Sequence, residues 1–206
     1  MAQVNNDAPS LWAYVLDHMD LAPDQRVAAP GLRYRLLSAV MAELVGAGGQ
    51  VTPVEHDGDL ARRAAEALAA WPRVRALHGD GSRFDGGAQD AIVVSAGATH
   101  PLPSWLVALR PGGRLVFPLT SERLGGYMLK VRRGESPAQL GAEMLCRARF
   151  IPFVGGRNAA LDERLATQIA AGHADLVRSL RRDRHVPDGS CWLHGEGFCL
   201  SWRGTD

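Results

Sequence analysis

Two short runs constrain the fold most. Asp90–Ser95 reads DAIVVS and Arg114–Leu119 reads RLVFPL. Neither alternates apolar with polar residues. Strands of this kind are buried on both faces, as happens where helices cover both sides of a parallel sheet. The segments around them fit that arrangement. Leu11, Tyr14, Val15 and Met19 recur at helical spacing within Ser10–Asp20, and Ser10 is placed to cap that helix. Leu36–Val45 predicts a second helix, ended by Gly46-Ala-Gly-Gly49, and Asp59–Ala70 a third, closed by Trp71-Pro72. Pro103–Ala108, Leu161–Ala171 and His173–Arg182 complete the helices. Val27–Pro30, Gln50–Glu55 (weakened by Pro53), Val74–His78, Tyr127–Arg132 and Ala142–Phe150 read as further strands, with Cys191–Leu193 and Gly197–Trp202 as a final pair. Strand and helix alternate through short glycine turns, the pattern of a doubly wound α/β sheet. A ligand then lies beyond the carboxyl ends of the strands, where the strand order reverses.

The chain has 206 residues and reads as one domain over 1–206: an N-terminal segment 1–9, a core 10–150, and C-terminal helices and strands over 151–206. Its 23 basic and 22 acidic residues nearly cancel, which argues against a nucleic-acid or acidic-membrane partner. No apolar run approaches the roughly 20 residues of a membrane span. MAQVNNDAPS lacks the basic flank and apolar run of a signal peptide. Three cysteines, Cys146, Cys191 and Cys199, form no CxxC pair, and their odd count argues for a reducing compartment. A cytoplasmic location is expected. Cys191 and His194 have the spacing of a metal pair, but a zinc site needs three or four ligands and no second pair stands out, so no metal is expected. The basic run Arg178–Arg184 reads as a solvated helix face.

With the elements placed, the sequence resembles class I S-adenosylmethionine-dependent methyltransferases, and most of all the protein-L-isoaspartate O-methyltransferase family. VTPVEHD (51–57) matches that family's second strand ending in an acid. HGDGS (78–82) matches its Gly-Asp-Gly turn, and DAIVVSAGATHPLP (90–103) its fourth strand and following loop. LRPGGRLVFPL (109–119) matches the fifth-strand block, NNDAPSLWA (5–13) the start of the core, and SCWLHGEGFCLS (190–201) the end of a bacterial branch. The resemblance implies a Rossmann-like, mostly parallel seven-stranded sheet. It also implies S-adenosylmethionine as cofactor, with Glu55 holding the ribose hydroxyls and Asp80 and Gly81 reading the adenine. A carboxylate suits the ribose because it offers two acceptor oxygens. His56 lies beside Glu55, and Ser95, Ala96 and Gly97 are expected to line the same cleft.

The family's first loop carries an acid and then Gly-x-Gly-x-Gly, so that backbone can pass close to the cofactor. Here the segment reads Val27-Ala-Ala-Pro-Gly31-Leu-Arg33-Tyr-Arg35. Gly31 matches, Ala29 replaces the acid, and Arg33 and Arg35 replace two glycines. The arginines are expected either to face solvent or to bind an anion in the cleft. Asp7, Tyr34 and His100 form the available acid–base constellation if the N-terminal segment folds over the cleft. Where the isoaspartate enzymes keep Ser or Thr, two places before the proline, this chain has Asp7, so isoaspartate recognition is not carried over.

Three readings follow. The first is a methyltransferase-fold protein with a disrupted S-adenosylmethionine site, repurposed as a non-methylating biosynthetic enzyme or ligand-binding protein. The second is a divergent but active S-adenosylmethionine-dependent O-methyltransferase. The third is a non-catalytic interaction protein, completed by a dimer mate in a homodimer or by a partner subunit. The sequence favours the first narrowly, with a small molecule or peptide in the old cofactor cleft.

Overall fold

The structure, a computed structural model, describes residues 4–5, 9–31 and 35–205, with 4–5 described for backbone alone. Its elements in chain order are β1 (Val4–Asn5), α1 (Pro9–Met19), β2 (Arg26–Pro30), α2 (Arg35–Val45), β3 (Gln50–Glu55), α3 (Gly58–Ala67) and β4 (Leu77–His78). After a 3₁₀ turn at Gly81–Arg83 come β5 (Gln89–Val93), α4 (Pro103–Ala108), β6 (Leu109–Ser121), β7 (Gly125–Arg133), β8 (Leu140–Arg149) and α5 (Ala159–Ala171). A second 3₁₀ turn, Ala174–Leu176, leads to β9 (Ser179–Arg181), β10 (Cys191–Gly195) and β11 (Phe198–Ser201).

One sheet contains all the strands among the described residues, in the order β10-β11-β9-β8-β7-β6-β5-β2-β3-β4, with β1 alongside β8. The pairs among β2 to β6 are parallel. From β6 outward the path turns antiparallel. The two continuous apolar runs are central and fully buried: Ala91–Val94 in and just after β5, and Leu115–Phe117 in β6. Alternate residues face opposite layers. Val27, Ala91, Val93 and Val116 pack with Leu11, Val15 and Met19 of α1 and Met41 and Val45 of α2. Ile92, Val94, Leu115 and Phe117 pack with Trp105 of α4 and Leu165 and Ile169 of α5. Helices therefore cover both faces, as a doubly wound sheet requires.

Four expectations need correction. Among the described residues the sheet has eleven strands rather than seven, because β9, β10 and β11 extend the edge beyond β8 and β1 pairs with β8. His173–Arg182 is not a helix. Gly172 (φ 88°) and His173 (φ 60°) break the helical path with left-handed backbone, and Ser179–Arg181 joins the sheet. The basic run is accordingly a strand and the loop after it, with Arg181 paired to Asp183 rather than free in solvent. Ser10 sits inside the first turn of α1, which begins at Pro9, and so is not its cap.

Pro53 shows why the predicted strand at Val74–His78 is shorter than expected. Val51 and Glu55 bond towards the β4 side, through Arg73, Arg75 and Gly79. Pro53 faces the same side without an N–H to give. The edge therefore splits into a bridge at Val74 and the short strand Leu77–His78.

Trp105 joins this core to the sheet's ligand edge. It is fully buried, stands edge-on to Phe153 at 5.2 Å, and packs against Phe117 at 5.6 Å. Its indole N–H donates to the Gly81 carbonyl at 2.9 Å. Trp105→Ala should cost about 3–5 kcal/mol, read as a lowered urea midpoint with an unchanged m-value.

Candidate functional site

The strand order reverses between β2 and β5, and a cleft of about 470 Å³ opens there at the carboxyl ends of the parallel strands. Backbone bonds set its floor. The Gly31 N–H donates to Val54 O at 2.9 Å, and the Ser95 N–H to Pro30 O at 3.2 Å. Gly31 takes φ +77°, which an L side chain adopts only with strain. Gly81 has no room for a Cβ, which would lie 2.9 Å from Pro30 Cβ and 3.0 Å from Phe153 Cζ.

Six of the predicted residues meet here: Gly31, Arg35, Glu55, His56, Asp80 and Gly81 all line the cleft, as does Ala96. Glu55, at the end of β3, accepts from the Asp57 N–H through Oε1 at 3.0 Å. Asp80 accepts from the backbone N–H and the hydroxyl of Ser82 at 2.9 and 2.7 Å. Chiefly the Ser82 hydroxyl bond, with smaller help from its N–H, Arg83 and His56, holds the Asp80 carboxyl below its ordinary range. The cleft is thus anionic on the side of Glu55 and Asp80 and cationic on the side of Arg35 and Arg63.

Other predicted residues are placed elsewhere. Ser95 and Gly97 do not line the cleft. Gly97 instead holds the loop that does. Its N–H donates to Ile151 O at 2.7 Å and its carbonyl accepts from the Phe153 N–H at 2.8 Å. A Cβ at Gly97 would stand 2.2 Å from Thr120 Oγ1, so the approach requires glycine. His100 also lies away from the cleft. It stacks on Phe198 at 6.0 Å and meets Thr99 Oγ1 through Nδ1 at 3.0 Å. Asp7, Arg33 and Tyr34 lie outside the described residues, so of the proposed acid–base constellation His100 alone is placed, and it is placed elsewhere.

Sequence reasoning missed two walls of the cleft. One is the loop Ile151-Pro-Phe-Val154 after β8. The other is the face of α3 formed by Leu60, Arg63 and Ala64. The second was signalled by the i, i+3, i+4 spacing of those residues. The first had no local signal, because its position depends on the pairing with Gly97. A separate group also converges near the C-terminus. His185 and Cys199 stand beside Cys191 and His194, supplying a second Cys–His pair that spacing along the chain does not show.

The sequence profile of the family described as Protein-L-isoaspartate(D-aspartate) O-methyltransferase (PCMT) matches residues 1–158. The chain belongs to this family. Protein-L-isoaspartate O-methyltransferase 1 of Rhodopseudomonas palustris (strain HaA2) is 33% identical over 178 residues, covering 84% of this chain and 69% of the relative. The protein-L-isoaspartate O-methyltransferase of Salinibacter ruber is 35% identical over 163 residues, covering 71% of this chain and 67% of the relative. A solved protein-L-isoaspartate O-methyltransferase superposes with a TM-score of 0.62 at 24% identity, over 86% of this chain and 54% of that structure. The chain thus spans about half the length of that structure. A β-aspartate methyltransferase structure from Plasmodium falciparum, in complex with S-adenosyl-L-homocysteine, gives 0.60 at 18% identity, over 71% of this chain and 74% of that one. The class I methyltransferase fold expected from the sequence is borne out.

Membership of the isoaspartate methyltransferase family overturns the first functional reading, that of a repurposed, non-methylating protein. The matched profile and the curated relatives from Rhodopseudomonas palustris and Salinibacter ruber are named for methyl transfer, and they favour the second reading. The disrupted cofactor site and the biosynthetic tailoring role likewise find no support. Arg35 does not fill the cleft. Its guanidinium donates to the Arg63 carbonyl at 3.4 Å along the α3 wall, and the volume beside it stays open. No helix among the described residues is long and apolar enough to cross a membrane.

Burial lowers the His100 pKa below its ordinary 6.5. The folded chain then binds fewer protons than the unfolded one as pH falls below about 6.5, so the stability His100 allows at neutral pH is lost as pH drops through the folded value. His100→Gln should flatten part of that acid slope, read as urea midpoints compared at about pH 7 and pH 5.

Proposed function

We propose that this chain is an S-adenosylmethionine-dependent O-methyltransferase acting on a carboxylate carried by a peptide. The observation that carries the reading is the open cleft at the strand-order reversal, with Glu55, Asp80 and Gly81 together on its wall. The residues present fit the cofactor. Glu55 offers carboxylate oxygens to a diol. The cradle at Gly31 and Gly81, where a Cβ at Gly81 would collide with Pro30 and Phe153, lets a flat ring approach backbone. Val54, Leu60 and Phe153 supply apolar wall for that ring. When bound, S-adenosylmethionine supplies an electrophilic methyl group to a carboxylate oxygen and leaves as S-adenosylhomocysteine.

The chain's own residues have little proton chemistry to do. A carboxylate with an ordinary pKa near 4 is already ionised at neutral pH, so the acceptor needs no general base. The position of His100 away from the cleft fits that economy. The work left to the protein is orientation and exclusion of water, effects that together account for large rate gains in bimolecular transfers. The exposed apolar side chains of Leu60, Ile151 and Val154 at the cleft mouth suit the covering of a peptide segment. Arg63 and Arg35 on the α3 side supply cations for an acidic acceptor.

Calorimetric titration with S-adenosylhomocysteine should show binding, and Glu55→Ala should weaken it by ~10–100-fold, the value of hydrogen bonds to a charged group. Methyl transfer is then measured with labelled cofactor on two peptides that differ in having isoaspartate or aspartate at one position. Ester formed on the isoaspartyl peptide places the chain with its named relatives. Failure to bind either S-adenosylmethionine or S-adenosylhomocysteine would sink the reading.

A further inference from the structure

We propose a structural zinc site formed by His185, Cys191, His194 and Cys199. One ligand atom from each residue lies within 4.8 Å of all the others. Tetrahedral zinc, with bonds of about 2.3 Å to sulfur and 2.0–2.1 Å to nitrogen, sets ligand atoms about 3.3–3.8 Å apart. Cys191 Sγ and His185 Nε2 already stand at 3.5 Å, and the remaining separations, none above 4.8 Å, close by about 1.5 Å or less. Two thiols and two imidazoles arranged tetrahedrally select zinc among the common divalent ions. The site lies beyond residues 1–158, which the family profile matches.

Backbone geometry explains the convergence. His194 and Cys199 are register partners across the β10–β11 hairpin, so their side chains share one face. Cys191 lies three residues before His194 and in a regular strand would face the opposite way. A β-bulge between Cys191 and Leu193 supplies the one-residue offset that returns it to the same face. His185 arrives from the loop that precedes β10, and its Nδ1 side is held by Asp183, at 3.0 Å from the carbonyl and 3.2 Å from the carboxylate. That leaves Nε2 turned to Cys191, the carboxylate–histidine arrangement that orients metal-bound imidazoles.

Two polar atoms at the cluster are otherwise unexplained. His194 Nδ1 is buried and has no hydrogen-bond partner among the described residues, an arrangement that costs free energy unless something occupies it. Arg181, the register partner of Cys199 in β9, also has a buried Nη1 with no acceptor there. Metal-bound thiolates would provide one. The Asp188 N–H already points at Cys191 Sγ at 3.4 Å, as amides do around bound thiolates. Two thiolates and two neutral imidazoles leave the zinc centre with no net charge, so it can sit beside Arg181, whose own charge is paired to Asp183.

With four protein ligands the site has no open position, and its role is to staple the 182–190 loop to the terminal hairpin. The full-length chain, purified under reducing conditions without chelator, should carry one zinc per molecule by elemental analysis. Cobalt exchanged for it should show the visible bands and the thiolate charge-transfer band of a tetrahedral S₂N₂ centre. His185→Ala, in a half-buried loop residue, should keep the fold by circular dichroism and lower zinc affinity at least about tenfold in chelator competition. Cys146→Ser, on β8 outside the cluster, should leave zinc content unchanged. The proposal is overturned if the reduced chain takes up no added zinc or cobalt, if His185→Ala binds zinc as tightly as the parent, or if Cys191 and Cys199 are found joined as a disulfide in the chain as isolated.

Discussion

Burial of β5 and β6 on both faces is the constraint from which the rest of the molecule follows. Ala91–Val94 and Leu115–Phe117 expose essentially nothing to solvent, so each face of the sheet must carry a helical layer. One layer comes from α1 and α2, the other from α4 and α5. To place helices on both faces, the chain winds outward from β2 through β3 and β4, then returns to β5 on the other side of β2. The cleft opens where those two directions part. The site is thus a by-product of how the core is covered, which is why its polar residues stand at strand ends and in the turns after them.

The floor and the roof of the cleft are held by different means. The floor is parallel-sheet backbone, with Gly31 and Gly81 packed too closely for ordinary side chains. The roof is the Ile151–Val154 loop, tied back to Gly97 through two short backbone bonds. Arg157 anchors the end of that loop to the Thr120 carbonyl and to Asp162 of α5. Trp105 links the two parts, bonding the Gly81 carbonyl and packing on Phe153. A change in core packing at Trp105 therefore reaches the cleft directly.

Much of the fold was legible because it rests on local pattern. The buried runs, the helix 3.6-residue period and the glycine turns placed most of the elements, and Pro103–Ala108 and Gln50–Glu55 fell on the observed bounds. Glu55, Asp80 and Gly81 were legible because strand ends and tight turns announce themselves in sequence. The direction of Arg35 was not legible, and Arg33 lies outside the described residues. Residue type at a glycine position shows that a side chain is present but not where it points, and Arg35 runs along α3 towards Arg63. His173–Arg182 failed because its apolar residues fit a helix as well as a strand, and a left-handed His173 decided between them.

The amino-acid sequence by itself determined the layered α/β fold and the order of its elements from α1 to α5, which follow from periodicity and turn chemistry acting over a few residues, and its motifs carry the resemblance to the family. Tertiary structure decided which side chains share a space. Gly97 serves the loop rather than the ligand because Thr120 and Ile151, distant in sequence, close on it. His185, Cys191, His194 and Cys199 meet because a hairpin register and one bulge turn three of them to a single face while a loop delivers the fourth. Spacing along the chain hints at Cys191 with His194 but not at their partners, since register and bulge are set by the pairing of strands in the folded sheet.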